Sequence, residues 1–473
     1  STGSFWGRMK KKGKKGKSLR VLLPVHVFFP GHIYGTETYT LELARSLRRL
    51  GHEASILTAV PWGEEGPGEL LSSYVYDDFP VHVIDLNGMP NRRFKDTYYR
   101  PELKPLFRKV LGEVRPDLVH VTHLINHTGS LLEAVGESRI PAVATLTDFF
   151  GFCFNNKLEA HDGSLCLGPD RFSSNCLACY LRRAGAFPLR RAVKPWIRRD
   201  RFVAGVSRLL PFLIRVPGLS RGALAGHVLD VTARKNTLRH LYGTYRALIA
   251  PTEFLYRAYG DNGFYPERLR KIHFGISQER VRGFDRPRKN GGGPVRFGYI
   301  GQITAHKGVD LLVDAFLRLG TKNATLTVYG PGDQDRPYMD ALRKAAGGAK
   351  GVSFRDPFPP KDLTERLAGF DVLVIPSRWY ENSPLVLLYG LATRTPVVVT
   401  DVEGMNEFVR YGENGFTFRK NDRDHLTAVL RKFTDDPRWV EILSRNASYR
   451  KDVEDHAREV VAVYESVLRG GRS

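Results

Sequence analysis

Residues 371–418 read DVLVIPSRWYENSPLVLLYGLATRTPVVVTDVEGMNEFVRYGENGFTF and decide the fold of this chain. Two short apolar runs rich in β-branched residues, Val372–Ile375 and Pro396–Val399, flank a helix-length segment from about Pro384 to Thr393. Alternating strands and helices are typical of a parallel sheet with right-handed crossovers. The stretch therefore predicts a strand–loop–helix–strand unit of an α/β protein.

The start of the predicted helix indicates an anion site. Ser383 is a suitable N-cap, and Pro384 would occupy the first turn, where helices tolerate proline. The free N–H groups of Leu385 and Val386 would then point outward and suit a phosphate or diphosphate. Glu381 would repel a phosphate, so its carboxylate is better placed to accept hydrogen bonds from neutral sugar hydroxyls. The alternative is an ordinary solvated loop carboxylate.

Residues 381–409, ENSPLVLLYGLATRTPVVVTDVEGMNEFV, resemble the donor-site signature of glycosyltransferase family 4. The resemblance implies the GT-B fold, in which two Rossmann-like domains face an interdomain cleft and bind a nucleotide sugar. The family pattern has two glutamates with seven residues between them. Glu381 matches the first, whereas Tyr389 occupies the second, which in the family usually holds the ribose hydroxyls.

Further donor-side elements carry the same resemblance. Gly35-Thr36-Glu37 lies where the family has a glycine-rich loop, after the predicted first strand Leu19–Phe29 and before a predicted helix from Thr38 to Gly51. Lys307 matches the lysine of the family's G-x-x-x-x-x-K-G element and would act as a counter-charge for the diphosphate. Three more donor-side positions follow from the resemblance: Gln302, where many members have arginine, Gly330 in a strand-ending turn, and Phe358 in the base-binding turn.

Histidines and an aspartate follow two predicted strands of the first half. His120, His123 and His127 lie at the end of Asp117–Val121, and Thr147 and Asp148 follow Ala142–Leu146. Ligands of open α/β sheets bind outside the carboxyl ends of strands. His123 and Asp148 also resemble acceptor-side positions of family 4, which makes them candidate catalytic residues. The alternative for each histidine is a hydrogen-bonded structural role.

The chain has four cysteines, Cys153, Cys166, Cys176 and Cys179, spaced C-x12-C-x9-C-x2-C. Four clustered cysteines in a cytosolic protein favour metal ligation over disulfides. A closed tetrahedral thiolate site would hold a structural zinc and would staple a loop that otherwise lacks a core. An iron–sulfur cluster uses the same ligands, and unliganded thiols are a further alternative. His161 or Asp162 could replace one cysteine.

The formal charge of +22 predicts an anionic partner. Basic residues concentrate in Arg8–Lys17 and in Arg182–Arg201, and an apolar patch, Leu209–Val216, follows the second segment. Lysines and arginines beside aromatic residues suit an anionic membrane surface. The alternatives are a solubilising tail for the first segment and a buried helix pair for the second. Nucleic-acid binding is not favoured, because no recognised motif accompanies the charge.

The predicted organisation has two domains. It comprises a basic arm (1–18), a Rossmann-like acceptor domain (19–285) with a Cys-rich insertion (149–182) and a basic segment (182–219), a linker (286–294), a Rossmann-like donor domain (295–455), and a C-terminal helix (456–473) that crosses back to the first domain. One helical region is expected from Asp422 onward. No apolar run reaches transmembrane length, and no secretory signal is recognisable, so we expect a cytoplasmic protein, peripheral to the inner membrane face.

Together these features predict a retaining glycosyltransferase of the hexosyltransferase type. It would move a sugar from a nucleoside-diphosphate sugar to a lipid-linked or polysaccharide acceptor. Retention through a front-face mechanism, which the resemblance implies, requires neither an enzymic nucleophile nor a catalytic divalent metal. The alternative is a non-catalytic or altered GT-B protein that binds a glycan or lipid, and Tyr389 is the residue that supports it.

Overall fold

The computed structural model describes residues 17–183, 200–213, 223–281 and 293–470. Within these ranges the strands form two sheets, one of eight strands and one of six. Helices connect most successive strands, as right-handed crossovers between parallel strands require. The predicted class, α/β with two Rossmann-like domains, is confirmed.

Residues 20–271 build the first sheet. Its strands are β1 (Arg20–Pro24), β2 (Glu53–Val60), β3 (Leu71–Tyr76), β4 (Phe79–Asp85), β5 (Leu118–Val121), β6 (Ala142–Thr145), β7 (Tyr245–Ala250) and β8 (Leu269–Lys271). They lie in the order β3-β4-β2-β1-β5-β6-β7-β8, and only the β3–β4 pair among them is antiparallel. The order reverses at β1, so a crevice opens outside the carboxyl ends of β1 and β5.

The helices of this first domain are α1 (Gly35–Arg49), α2 (Lys104–Val114), α3 (Thr128–Glu137), α4 (Ser174–Arg183), α5 (Asp200–Leu213), α6 (Ala223–Tyr242) and α7 (Glu253–Asp261). The predicted start of α1 at Thr38 is wrong, because the helix already begins at Gly35. Glu37 lies in its first turn, where a carboxylate favours helix formation through the helix dipole. The first strand ends at Pro24, five residues before the predicted Phe29.

Residues 295–418 build the second sheet. Its strands are β9 (Val295–Ile300), β10 (Ala324–Tyr329), β11 (Val352–Arg355), β12 (Val372–Ile375), β13 (Val397–Thr400) and β14 (Gly415–Phe418). All neighbours in the order β11-β10-β9-β12-β13-β14 are parallel. Every residue of β12 and β13 is buried, which explains their uninterrupted apolar sequence.

The helices of the second half are α8 (Val309–Leu317), α9 (Arg336–Ala346), α10 (Leu363–Ala368), α11 (Leu385–Ala392), α12 (Arg423–Asp435), α13 (Arg438–Asn446) and α14 (Val453–Gly470). The expectation of one helix from Asp422 onward is wrong. Pro437 separates α12 from α13, because proline lacks the N–H that would continue the helix. The side chain of Asp335 caps the start of α9 by accepting a hydrogen bond from the Tyr338 amide.

The last helix, α14, packs against α1 of the first domain. Two buried hydrogen bonds fix it there. The Tyr464 hydroxyl lies 2.6 Å from Nδ1 of His120, and the Tyr39 hydroxyl lies 3.1 Å from Nε2 of His456. One apolar cluster accordingly contains residues of β1, α1, α11 and α14 and joins the two domains.

The Cys-rich insertion has an apolar core of its own, contrary to prediction. Leu177, Ala178 and Leu181 of α4 are buried, and α4 packs against α5 and α6. At the start of the insertion, Phe152 and Leu158 are buried in the core of the first domain. The insertion is therefore a packed extension of the first domain.

Several predicted segments lie largely outside the described residues. These are the basic arm up to residue 16, residues 184–199 and 214–219 of the basic segment, which include the end of the apolar patch (214–216), and residues 286–292 of the linker. In the described ranges, no helix combines the length and hydropathy that a bilayer crossing needs. The predicted domain boundaries stay predictions.

Candidate active site

The turn from β12 into α11 forms one wall of the cleft between the domains. The Leu387 amide donates to the Pro384 carbonyl at 2.9 Å, so α11 begins at Leu385 and Pro384 is its N-cap residue. The predicted N-cap, Ser383, is wrong. Ser383 adopts a left-handed backbone (φ 58°), and its buried Oγ has no hydrogen-bond partner among the described residues. The amides of Leu385 and Val386 precede the first helical bond, as an anion site requires.

Glu381 and Lys307 form a buried ion pair in this wall. Lys307 Nζ lies 2.6 Å from Glu381 Oε1, which also accepts from Ser377 Oγ at 2.6 Å and Trp379 Nε1 at 2.9 Å. Burial raises the pKa of the Glu381 carboxyl, but Lys307 and the two hydrogen bonds outweigh it and hold this pKa below its usual value. Glu381 is therefore ionised at neutral pH, and Lys307 has a counter-ion already.

Two glycines let the backbone close around this pair. Gly308 has a φ of 70°, and a Cβ there would lie 2.1 Å from the Pro376 carbonyl oxygen. Gly404 has a φ of 87°, and a Cβ there would lie 1.7 Å from the Glu381 carbonyl oxygen. Side chains at either position would push the lysine turn or the residue 404 loop away from the carboxyl end of β12.

The other predicted donor-side residues lie at the carboxyl ends of β9, β10 and β11. Gly330 follows β10, and a Cβ there would collide with the Gly301 carbonyl. The Gln302 carbonyl accepts a hydrogen bond from the Tyr299 hydroxyl at 2.7 Å. Phe358 packs edge-on against Tyr329 at 5.2 Å. Both rings line a cavity of about 470 Å³ together with Thr327, Arg355, Asp356, Pro357 and Arg366.

Tyr389 is buried at the junction between the two halves of the chain. Its hydroxyl accepts a hydrogen bond from the Ser277 amide at 3.1 Å. Ser277 lies near the end of the first domain, two residues after Gly275. The residue between them, Ile276, pairs with Asp452 just before α14. The hydroxyl at the second glutamate position of the family thus binds protein backbone in this structure.

The opposite wall of the cleft carries the predicted His123–Asp148 pair. His123 Nε2 lies 2.8 Å from Asp148 Oδ2, and both side chains are buried. Asp148 also accepts from the Phe150 amide at 3.0 Å and from Asn156 Nδ2 at 2.8 Å. Burial raises the pKa of the Asp148 carboxyl, but His123 and these donors hold it below its usual value.

Two residues that the sequence does not predict as partners of this pair, His26 and Glu37, extend it. The His26 ring stacks on that of His123 with 4.0 Å between centroids, and His26 Nε2 lies 3.5 Å from Glu37 Oε1. Burial lowers the pKa of His26 and raises that of Glu37. His26 lies just beyond the carboxyl end of β1, at the same sheet edge as His123. Since ligands of open α/β sheets bind at this edge, the position of His26 in the sequence could have indicated a site residue.

The other two predicted histidines have structural roles. His127 Nε2 donates to the Val25 carbonyl at 2.9 Å, and burial lowers the pKa of His127 to about 4. His120 bonds Tyr464 and Thr145, and burial lowers its pKa to about 3. Gly35 lies at the start of α1 with open space beside its α-carbon.

The two walls touch beside these pairs. Asn382 Nδ2, next to Glu381, donates to the carbonyl of Thr147, next to Asp148, at 2.7 Å. Tyr380 packs against Phe254 of the first domain with 4.2 Å between ring centroids. The candidate donor-side and acceptor-side groups are therefore brought into one cleft.

The four cysteines lie in one region of the first domain and form no disulfide among the described residues, and Cys179 is buried. Burial raises the pKa of the Cys176 thiol well above its usual value, and the three other cysteines raise it further. Among the described residues, no group of three or more His, Cys, Asp or Glu side chains is arranged to hold a metal ion. Zinc at this site, or an iron–sulfur cluster, stays a prediction from cysteine spacing.

Two family models match the chain, one in each half. The model described as "Glycosyltransferase Family 4" matches residues 33–163, and that described as "Glycosyl transferases group 1" matches residues 294–436. Together they span more than half of the chain. The chain belongs to the family 4 glycosyltransferases.

Individual relatives agree with this family. A D-inositol 3-phosphate glycosyltransferase of Catenulispora acidiphila is 28% identical over 44% of this chain and 54% of its own length. A lipopolysaccharide core biosynthesis mannosyltransferase of Rhizobium meliloti is 29% identical over 36% of this chain and 52% of its own length. The matches thus span about half the length of these relatives.

The fold itself matches solved structures along nearly the whole chain. The crystal structure of Anabaena HepE in complex with UDP-glucose superposes with a TM-score of 0.60 and 16% identity, over 95% of this chain and 100% of that chain. At this identity the similarity establishes the fold, which is that of the GT-B glycosyltransferases.

Proposed function

We propose that this family 4 member transfers a hexosyl group, with retention, from a nucleoside-diphosphate sugar to a lipid-linked or polysaccharide acceptor. The contact between Asn382 and Thr147 carries the proposal, because it brings the Lys307–Glu381 pair and the His123–Asp148 pair into one cleft. The complex of HepE with UDP-glucose supports a nucleotide-sugar donor, and the names of the relatives support glycosyl transfer.

The donor-side residues would stabilise the leaving group. Cleavage of the glycosidic bond places negative charge on the nucleoside diphosphate, and fixed positive charge and amide dipoles lower that barrier. Lys307 and the amides of Leu385 and Val386 supply both. Glu381, held ionised by Lys307, would accept hydrogen bonds from the hydroxyls of the transferred sugar.

The acceptor-side residues would position the attacking hydroxyl. Asp148 holds His123 through a 2.8 Å contact, which fixes the ring for a hydrogen bond with the acceptor. In a front-face mechanism the diphosphate oxygen takes the proton from the acceptor, so no enzymic nucleophile is needed. The contacts between the domains would exclude water and limit hydrolysis of the donor.

A membrane-bound acceptor agrees with the exposed apolar residues of α5. Leu209 is 61% exposed, and Phe212 and Leu213 are each 48% exposed. They lie within the predicted basic segment (182–219), after its Arg182–Arg201 part, and apolar side chains beside arginines suit an anionic bilayer surface. The relative named as a lipopolysaccharide core mannosyltransferase points to the same acceptor class.

Vesicle sedimentation tests the membrane contact. The native protein should sediment with phosphatidylcholine vesicles that contain phosphatidylglycerol, and less with phosphatidylcholine alone. Phe212→Ser combined with Leu213→Ser should reduce binding, whereas the control Val75→Ser, which replaces a residue exposed to 70% on β3, should not. Equal binding by both variants would contradict the assignment of this surface.

The second candidate is a non-catalytic or altered GT-B protein that binds a glycan or lipid. The specific observation in its favour is Tyr389, whose hydroxyl accepts from the Ser277 amide where the family places a glutamate for ribose. A nucleotide site rebuilt without that carboxylate would bind donor weakly.

Calorimetric titration separates the two candidates. The native protein and Tyr389→Glu would each be titrated with UDP and GDP, then with UDP-glucose and GDP-mannose. Binding by the native protein supports the enzyme. Binding that appears only in Tyr389→Glu supports the non-catalytic candidate.

A further inference from the structure

A lysine of the Cys-rich insertion reaches the donor-side wall of the cleft. Lys157 Nζ lies 5.0 Å from the ring centroid of Trp379, the same distance as Lys307 Nζ. His306 packs on this ring as well, with 4.0 Å between centroids. Since Trp379 donates to Glu381, two ammonium groups from different domains meet around one indole next to the predicted sugar-binding carboxylate.

The loop that carries Lys157 is fixed from several sides. Asn155 Oδ1 accepts from the Lys157 amide at 3.0 Å and from the Cys153 thiol at 2.7 Å. Asn156, the next residue, donates to Asp148 at 2.8 Å. Leu158, directly after the lysine, is fully buried in the core of the first domain. Successive residues thus contact the cysteine region, the acceptor-side carboxylate and the donor-side indole.

The charge on the donor side leaves a role for a second lysine. A nucleoside diphosphate carries at least two negative charges, whereas the ammonium group of Lys307 already contacts the Glu381 carboxylate. His306 adds no charge near neutral pH, because burial and the two lysines lower its pKa to about 3. Among the described residues, the ammonium groups of Lys157 and Lys307 are therefore the cations in contact with this ring.

We infer that Lys157 is a second diphosphate-binding residue of the donor site, supplied by the Cys-rich insertion of the opposite domain. The inference rests on the proposed nucleotide-sugar function and deepens it. A phosphate held between Lys157 and Lys307 would join the two domains, so donor binding would draw the insertion onto the donor-side wall. The Cys153–Asn155–Lys157 contacts would then connect the cysteine region to donor affinity.

The test compares nucleoside diphosphates with monophosphates. The native protein, Lys157→Gln and Lys157→Arg would be titrated calorimetrically with UDP and UMP, and with GDP and GMP. Lys157→Gln should lose roughly 10- to 100-fold in diphosphate affinity, the usual scale for a hydrogen bond to a charged group. It should lose much less for the monophosphate, and Lys157→Arg should keep most of the affinity.

Lys420→Gln is the matched control. Lys420 Nζ donates to the Gly163 carbonyl at 3.1 Å, so it too links the insertion to the second domain, but no ring contact joins it to Trp379. Its diphosphate affinity should stay near the native value. An equal loss in Lys420→Gln would mean that docking of the insertion, rather than Lys157, determines affinity, and would overturn the inference.

The two levels of the proposal fail in different ways. If the native protein binds no nucleoside diphosphate, the proposed function fails and this inference falls with it. If the native protein binds and Lys157→Gln binds equally well, only the inference fails. Asn155→Ala supplies a second variant, because it keeps Lys157 but removes the side chain that accepts from the Lys157 amide. A reduced diphosphate affinity in this variant supports the inference. An unchanged affinity contradicts the link between the cysteine region and donor binding.

Discussion

The two walls of the cleft use different kinds of charge pair. On the donor side, Glu381 and Lys307 form a fixed pair, in which the lysine helps to hold the pKa of the Glu381 carboxyl below its usual value. On the acceptor side, both carboxylates pair with histidines, Asp148 with His123 and Glu37 with His26. The donor wall therefore pairs its carboxylate with an ammonium group, which suits a charged diphosphate, whereas the acceptor wall pairs its carboxylates with imidazole rings, which suit a neutral hydroxyl because they can form a hydrogen bond with it.

The largest effect should come from breaking the fixed pair. Glu381→Gln keeps the size of the side chain but removes the anion that Lys307 contacts and that would bind the sugar of the donor. We expect transfer from UDP-glucose or GDP-mannose, whichever the native protein uses, to fall by about 10³-fold, the upper scale for loss of one electrostatic contact to a transition state. Consumption of labelled donor measures the rate.

The control for this variant is Asp310→Asn, which removes a carboxylate paired with Arg378 at 2.7 Å in the same domain. Its rate should change little, because partly exposed ion pairs contribute little. A Glu381→Gln protein with native activity would rule out the role given to the fixed pair.

The loop after Cys153 contacts both walls, through Asn156 and Lys157, so a metal that stabilises the cysteine region should stabilise the protein as a whole. If the four thiols hold zinc, the purified protein contains about one zinc per chain, and Cys176→Ser loses the metal and lowers the unfolding temperature. Elemental analysis and thermal unfolding with and without a chelator check this. Ser174→Ala, a change on the same helix, should retain the metal. A metal-free native protein that unfolds at the same temperature with and without chelator would contradict the zinc prediction.

The pH dependence of stability should differ between His127, a buried histidine of the first domain, and the fixed pair of the donor wall. His127 has a pKa of about 4 in the folded protein and about 6.5 when unfolded. Its contribution to stability is complete above pH 6.5 and is lost as the pH falls toward 4, by up to about 2 kcal/mol at pH 5. Urea unfolding at pH 7 and pH 5 should give a smaller loss for His127→Gln than for the native protein.

The fixed pair should not contribute in this window, since the pKa of Glu381 lies below its usual value and its stabilisation is lost only at more acidic pH. Glu381→Gln should therefore retain the native pH slope between 7 and 5. Parallel slopes for His127→Gln and the native protein would show that His127 does not titrate as its burial requires.

The smallest effect concerns Tyr389, which joins the donor domain to the end of the first. Tyr389→Phe leaves the Ser277 amide without its acceptor and should cost about 1 kcal/mol of unfolding free energy. Affinity for UDP should hardly change, because the hydroxyl contacts protein rather than ribose. A large loss of UDP affinity without a loss of stability would instead assign the hydroxyl to the nucleotide.

The sequence predicted the local elements well where apolar runs are short and bounded. The sequence predicts β12 at the residues observed and β13 within one residue. The reason is that a parallel strand buried on both faces is a continuous apolar run, whose ends are visible in the sequence. The start of α1 was missed because Gly35 is a residue typical of loops, although it lies in the first turn. The break after α12 is predictable from Pro437, because proline cannot continue a helix.

Contacts between distant residues could not be predicted in the same way. The pairing of Lys307 with Glu381 spans 74 positions, and that of His123 with Asp148 joins two strands whose order the sequence does not state. Trp379 and Lys157 have no motif of their own, and only the packing of the insertion against the second domain brings them together. Resemblance to the family indicated the candidate site residues, whereas the contacts between them are visible only in the structure.

The hydrogen bonds between the first domain and α14 have a consequence for how the protein is made. His120 reaches its partner Tyr464 only after 344 further residues have been synthesised, and Tyr39 waits longer still for His456. On the ribosome, β5 and α1 therefore emerge with polar groups and apolar surface that nothing yet covers. The first domain can therefore acquire its full set of contacts only after α14 has been synthesised and has docked. The first domain emerges first and is completed last.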